Sequence, residues 1–305
     1  VSTNIERDIQ NELVLAPLFR EIPMTSATQI IPIMPDSGYA EFTSNQTASG
    51  SSPHGNLAQR GDAYNPGSAG GIDLTEKTLS TVKLISQSFL GNETEEDAIM
   101  PVLPLIRESM VRSHARAIEN AILAGNNSAN GVFSSGSFDG LIQLAAQDDS
   151  SGTHATTSGT AFASESLTAA DLLAMRKKMG KYGINPADVV FIVNQQEYYN
   201  LLSDAEFQDA NLVGDMATKL SGEIGQVFGT RILLCDEFAS PAVSKVHAAC
   251  VYTRNYVMPR LRGVTIESDY EVANQRRVLV ASQRLGFTDL IDGATSVHIR
   301  SYKAS

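Results

Sequence analysis

Between Pro101 and Ala124, apolar residues recur at three-, four- and seven-residue spacing. The series Leu103, Ile106, Met110, Ala117 and Ala121, widened by Val111, Ile118 and Ile122, predicts one unbroken helix. Pro101 and Pro104 fit such a helix because the first four backbone N–H groups have no intrahelical partner to lose. The acidic run Glu95, Glu96, Asp97 stands at the positive end of the helix dipole, Glu108 and Arg112 form an i,i+4 pair, and Gly125 supplies the stop. At about 1.5 Å per residue the helix is roughly 36 Å long, which suggests a strut across a thin, flat body. His114, beside Arg112 and Arg116, is expected on its polar side, solvated or at an interface.

Before this helix, residues 1–35 read as an arm. A short amphipathic piece (Ile5, Ile9, Leu13, Val14) passes into LVLAPLFREIPM and then into the extended TQIIPIMP. From Asp36 to Gly71, Gly, Ser, Asn, Thr, Gln and Ala dominate, which by composition alone is a loop or linker. Strand-like stretches flank it, so a long two-stranded arm is the more economical reading. After the helix, a second small-residue region spans 126–166, interrupted by FDGLIQLAAQ. Thr168 and Asp171 then form a capping box before LLAMRKKM, and Lys177, Lys178 and Lys181 crowd that helix's end. ADVVFIVN reads as a buried strand, QQEYYNLLSDAEF as a helix and TRILLCDEF as a strand. From HAACVYTR to HIRSY the chain is mostly strands. The class is α+β in two layers, without a regular βαβ series.

Charge and chemistry narrow the function. With 34 acids against 23 bases the chain carries a net charge of −11, which argues against general nucleic-acid binding. No apolar run reaches the length of a membrane span, and no charged-then-apolar leader precedes Val1. That first residue is consistent with trimming of a longer precursor or with a shortened chain. Cys235 and Cys250 sit in apolar segments and read as buried, reduced thiols. The five histidines show no metal-ligand spacing, no G-x-S-x-G elbow occurs, and Gly222, Gly225 and Gly229 miss the phosphate-loop spacing and read as turns. Ser52 and His54 within GSSPHG are too close in a loop to form a nucleophile pair. Asp148, Asp149 and the acids at 95–97 read as solvated turns or caps, not as a cation site. Tryptophan is absent, which removes the usual stacking platform for single strands. Neither an enzyme nor a cofactor is expected.

The order of parts resembles the major capsid protein of tailed bacteriophages, a fold also seen in encapsulin shells. The likeness rests on the arm, the polar extended loop, the helix with an acidic start that closes with ENAILAGN, the segment FDGLIQ and the final VLVASQRLGFTDLIDGATSVHIRS. LTAADLLAMRKKMGKYGINPADVVFIVNQQEYYNLL is similar to the start of that family's axial domain. The resemblance implies an N-terminal arm (1–35), an extended β-hairpin loop (36–80), a peripheral domain with spine helix 101–124 (81–160), an axial domain (161–260), and closing strands for both sheets (261–305). It implies self-assembly through pentamers and hexamers into an icosahedral virion shell enclosing double-stranded DNA without sequence-specific contact. Assembly would occur in the host cytoplasm, with portal and decoration proteins as further partners and no membrane. It also implies proteolytic trimming ahead of Val1. Some members crosslink a loop lysine to a neighbour's asparagine, but the first lysine here is Lys77, at the loop's base, so no such crosslink is expected. Candidate contacts between subunits are Arg60, Glu76, Lys77, Arg107, Arg112 and Arg116. The alternatives are an encapsulin compartment and, from another class, a soluble hydrolase with an unrecognised site.

Overall fold

The computed structural model describes residues 13–33, 61–62, 65–69, 75–92, 102–126, 137–147, 167–203, 225–239, 245–291 and 296–301. Two compact units emerge, one formed by Val1–Thr28 with Ser80–Ser305 and the other by Gln29–Leu79. The second unit holds two strand pairs: β2 (Thr28–Ile33) with β5 (Thr75–Ser80), and β3 (Gly61–Asp62) with β4 (Asn65–Ala69). Most of the 36–71 loop lies outside the described residues.

The first unit is built on two sheets. One contains β1 (Arg20–Pro23), β6 (Val82–Gly91), β11 (Tyr256–Glu271), β12 (Arg276–Leu285) and β13 (Thr288–Asp289), in the order β1-β11-β12-β6 with β13 also on β11. β6, β12 and β11 are successive antiparallel neighbours, whereas β1 runs parallel to β11, pairing Arg20 with Val257 and Pro23 with Arg260. The other sheet has the order β14-β10-β7-β9-β8, from β7 (Val189–Val193), β8 (Gln226–Val227), β9 (Thr230–Leu234), β10 (Val246–Tyr252) and β14 (Val297–Ser301). β7 and β9 are parallel.

Every residue of β7 is buried, and its alternation explains why an unbroken apolar run was needed. Val190 and Ile192 join one core cluster, together with Ala249 and Val251 of β10. Val189, Phe191 and Val193 face a second cluster, together with Ala248 and Cys250. Helix α1 (Val102–Ala124), helix α2 (Leu141–Gln147) and Leu15, Ala16 and Phe19 of the N-terminal segment contribute to the first cluster. Helices α3 (Ala169–Lys178) and α4 (Gln195–Ser203) supply Leu172, Met175 and Leu201 to the second.

The capping box of α3 forms as expected, with Thr168 Oγ1 accepting from Asp171 N and the Asp171 carboxylate accepting from Thr168 N. Beyond α3, Arg176 gathers two turns. It donates to the carbonyl oxygens of Gly183 at 2.6 Å, Ile184 at 2.8 Å and Phe228 at 3.0 Å. Phe228 and Gly229 have φ of 50° and 74°, giving the primed turn that a two-residue β8–β9 hairpin prefers.

The long helix exists, but its inner face differs from the expected one. Met110, Val111, His114, Ala115, Ile118, Glu119, Ile122 and Leu123 are buried, whereas Ala117 and Ala121 are only partly covered and Leu105 is exposed. His114 is therefore corrected from the polar side to the core, at 1% exposure. It stays there because both ring nitrogens find partners: Nε2 is 2.8 Å from Ser86 Oγ on β6, and Nδ1 is 3.2 Å from Gln283 Nε2 on β12. Pro101 lies outside the described residues.

Candidate functional site

A 23-residue helix with one face in the core leaves its other face able to carry ordered charged side chains. On that face Arg112 meets Glu108 at 2.7 Å, one turn away and well exposed. Arg116 Nε reaches Glu237 Oε1 at 3.1 Å, while Asn120 donates to Glu237 Oε2 at 3.2 Å. Glu237 thus ties the helix to the turn that follows β9. Arg107 is half-buried on the same helix. Glu76 is exposed and Lys77 half-buried on β5, in the separate unit. Arg60 lies outside the described residues. Arg112 and Arg116 are therefore brought together on one face, bordering a shallow cleft of about 690 Å³.

Buried polar groups were the part that sequence patterning missed. Glu119, 6% exposed, accepts backbone N–H groups from Val14, Leu15 and Ala16, and so fastens the N-terminal segment to α1. Burial raises its pKa from the usual carboxylate value; the N–H groups of Leu15, Ala16 and Val14 partly offset this, and Glu237 adds to the rise. Arg300 on β14 is fully buried and pairs with Asp171 at 2.6 Å, so the cap of α3 is anchored to the sheet edge. His247 is buried close to that pair. Burial, assisted by the Arg300 charge and opposed by Asp171, pushes its pKa down to about 3. Glu197 is fully buried and accepts from Leu167 N at 2.6 Å. The available signal was position: Glu119 lies four residues after Ala115 and three before Ile122, on the buried stripe itself.

Of these groups, Glu119 and Glu197 accept from backbone N–H groups, and Asp171 both accepts from Thr168 N and pairs with Arg300. Among the described residues, no cluster of three or more His, Cys, Asp or Glu is placed to hold a metal ion. Both cysteines are free and buried. Burial raises the Cys235 thiol to about 12 and lifts Cys250 further, so neither offers a thiolate at neutral pH. No helix among the described residues is long and apolar enough to cross a membrane. His54, His154, the acids at 95–97, and Asp148 and Asp149 fall outside the described residues.

The comparisons agree with a fold used for building. The "Major capsid protein" of Escherichia phage T5 is 35% identical over 284 residues, a match covering 93% of this chain and 57% of that relative's length. Among solved structures, the capsid of a native GTA particle computed with C5 symmetry superposes with a TM-score of 0.64 at 15% identity, covering 95% of this chain and 90% of that one. A Mycobacterium phage Bobi chain gives 0.61 at 14% identity, covering 98% and 91%. The model of the Phage capsid family matches residues 3–292, and with that span taken up, the chain belongs to the phage capsid family and has the tailed-phage capsid fold.

Proposed function

We propose that this chain forms the shell-building part of a major capsid protein, which assembles non-covalently into the icosahedral head of a tailed bacteriophage around double-stranded DNA. The supporting observation is the 35% identity to the phage T5 major capsid protein, sustained over 93% of the chain. In this reading the protein is structural and not an enzyme. It is part of the virion, it assembles in the host cytoplasm, and portal and decoration proteins join it. The spine helix and β6 belong to a peripheral domain (81–160), and the strands of 261–305 complete the axial and peripheral sheets. The sheet of β7 to β10 belongs to an axial domain (161–260). Residues 1–35 form an arm and 36–80 an extended loop over a neighbour.

Arg60, Glu76, Lys77, Arg107, Arg112 and Arg116 are proposed as contacts between copies. Exposed ion pairs contribute about 0–1 kcal/mol each, so their weight comes from repetition around a closed shell. The test is negative-stain microscopy with sedimentation of the overexpressed protein. Closed particles or capsomers support the reading, and particles with the absorbance ratio of packaged DNA distinguish a phage head from a protein-filled compartment. A chain that stays monomeric at high concentration overturns it.

A further inference from the structure

One carboxylate clasps the N-terminal segment. Glu119 Oε1 accepts the N–H groups of Val14 and Leu15 at 2.8 Å each and that of Ala16 at 3.4 Å, and Oε2 takes a second bond from Leu15 at 3.0 Å. These donors lead into the 3-10 turn Ala16–Leu18, which sets Leu15, Ala16 and Phe19 into the core beside α1. Residues 13–18 contain no ionisable side chain, so the segment meets the charge with N–H dipoles alone.

The surroundings do little to favour a negative charge. On α1, Arg112 and Arg116 border the cleft of about 390 Å³ that reaches Glu119, but each is engaged elsewhere, Arg112 with Glu108 and Arg116 with Glu237. The turn after β9 contributes Cys235, Asp236 and Glu237, and α4 contributes Tyr198 and Tyr199. Glu237 is a like charge acting on Glu119.

We infer that Glu119 is a charge-strained latch: its oxygens hold residues 14–16 on the spine helix, while its negative charge, buried and facing the like charge of Glu237, works against the hold. Neutralising the group tightens the latch; removing its oxygens opens it. The direction follows from linkage. A carboxylate freed to water titrates at its ordinary value, whereas the clasped one titrates higher. A proton therefore binds the clasped state more strongly, and lowering the pH from neutral shifts the balance toward it. This is opposite to the usual hydrogen-bonded surface carboxylate, whose pKa is depressed and whose contacts weaken in acid. The cleft beside Glu119 provides the path by which water and protons reach the group.

The test is amide hydrogen exchange on the full chain, read by mass spectrometry on the peptide spanning residues 13–18 and on the β7 peptide as an internal control. Glu119→Ala should speed exchange at 13–18 by about tenfold or more at pH 7.5 while β7 stays protected, as expected for several buried donors left unpaired. Glu119→Gln, which keeps an acceptor and drops the charge, should exchange no faster than the natural protein. The natural protein, corrected for intrinsic rates, should move toward that variant as the pH is lowered from 7.5. Exchange in Glu119→Gln as fast as in Glu119→Ala would show that the charge is the hold, and overturn the inference. So would unchanged protection in Glu119→Ala. If the alanine variant loses β7 protection, the glutamine variant and the pH series decide. The readout is made on the chain's own amides and stands whether or not shells form.

Discussion

Burial holds His247 and His114 below the usual histidine pKa, so the fold favours their neutral forms. Burial is the first cause in both cases; Arg300 reinforces it for His247, and the partners of His114 use both ring nitrogens as they stand. Each folded pKa lies below the usual histidine value, so the unfolded chain binds the extra proton first. The associated stability is fully present above about pH 6.5 and is lost as the pH falls below that, toward about 3 for His247. His247→Gln should therefore flatten the pH dependence of thermal unfolding between pH 7 and 4.5. The gap between the two proteins should shrink by up to about 1.4 kcal/mol per pH unit. Circular dichroism is the suitable probe, since the chain has no tryptophan. A gap that stays constant with pH would remove His247 as its source. His114 also shows what patterning misses. A polar residue on a helix defaults to the solvent side, and partners far away in sequence, Ser86 and Gln283 among them, make the opposite face tolerable. Glu119 follows the same logic, with partners at residues 14–16.

At the scale of elements, the parts that could be read in advance were those whose cause is local. The run Val189–Val193 is apolar at every position because both faces of its sheet are covered, and the capping box of α3 lies within four consecutive residues. The end of α1 was also legible, but the reason for its strictness was not. Gly140, at the start of α2, donates its N–H to Gly125 O at 2.8 Å. A Cβ built at Gly140 would lie 2.6 Å from Ala121 O, 2.7 Å from Gly125 N and 2.8 Å from Ile122 O, all of them backbone atoms. Gly140→Ala should thus pry α1 and α2 apart and cost about 1–3 kcal/mol in urea unfolding. Gly225→Ala is the control, since nothing lies within 4 Å of its added carbon, and it should change stability by less than about 0.5 kcal/mol. Equal effects at the two sites would rule out backbone crowding as the cause.

For the whole molecule, composition and function meet in the polar stretch before β5. Between residues 36 and 71 apolar side chains are few, and Arg60 is the one lysine or arginine. Lys77, at the base of the 36–80 loop, is the first lysine, so the middle of the loop offers no amine from which a covalent ladder could start. Particles boiled in detergent should therefore run as single chains on a gel. Higher bands that survive boiling would contradict the proposed non-covalent assembly. The two-sheet architecture was only partly legible. Strand character showed in the periodicity, but the parallel seating of β1 on β11 left no local mark in either segment.

That seating has a consequence for how the protein is made. Arg20–Pro23 leave the ribosome ahead of Val257–Arg260 and must wait for them before their edge of the sheet can close. At about 5–20 residues per second, the intervening stretch takes on the order of ten to fifty seconds to emerge. During that time Phe19 lacks the Tyr256 and Phe287 rings against which it packs. Slowing late translation should therefore favour aggregation, and chaperones that mask early apolar segments should raise the yield of folded chain.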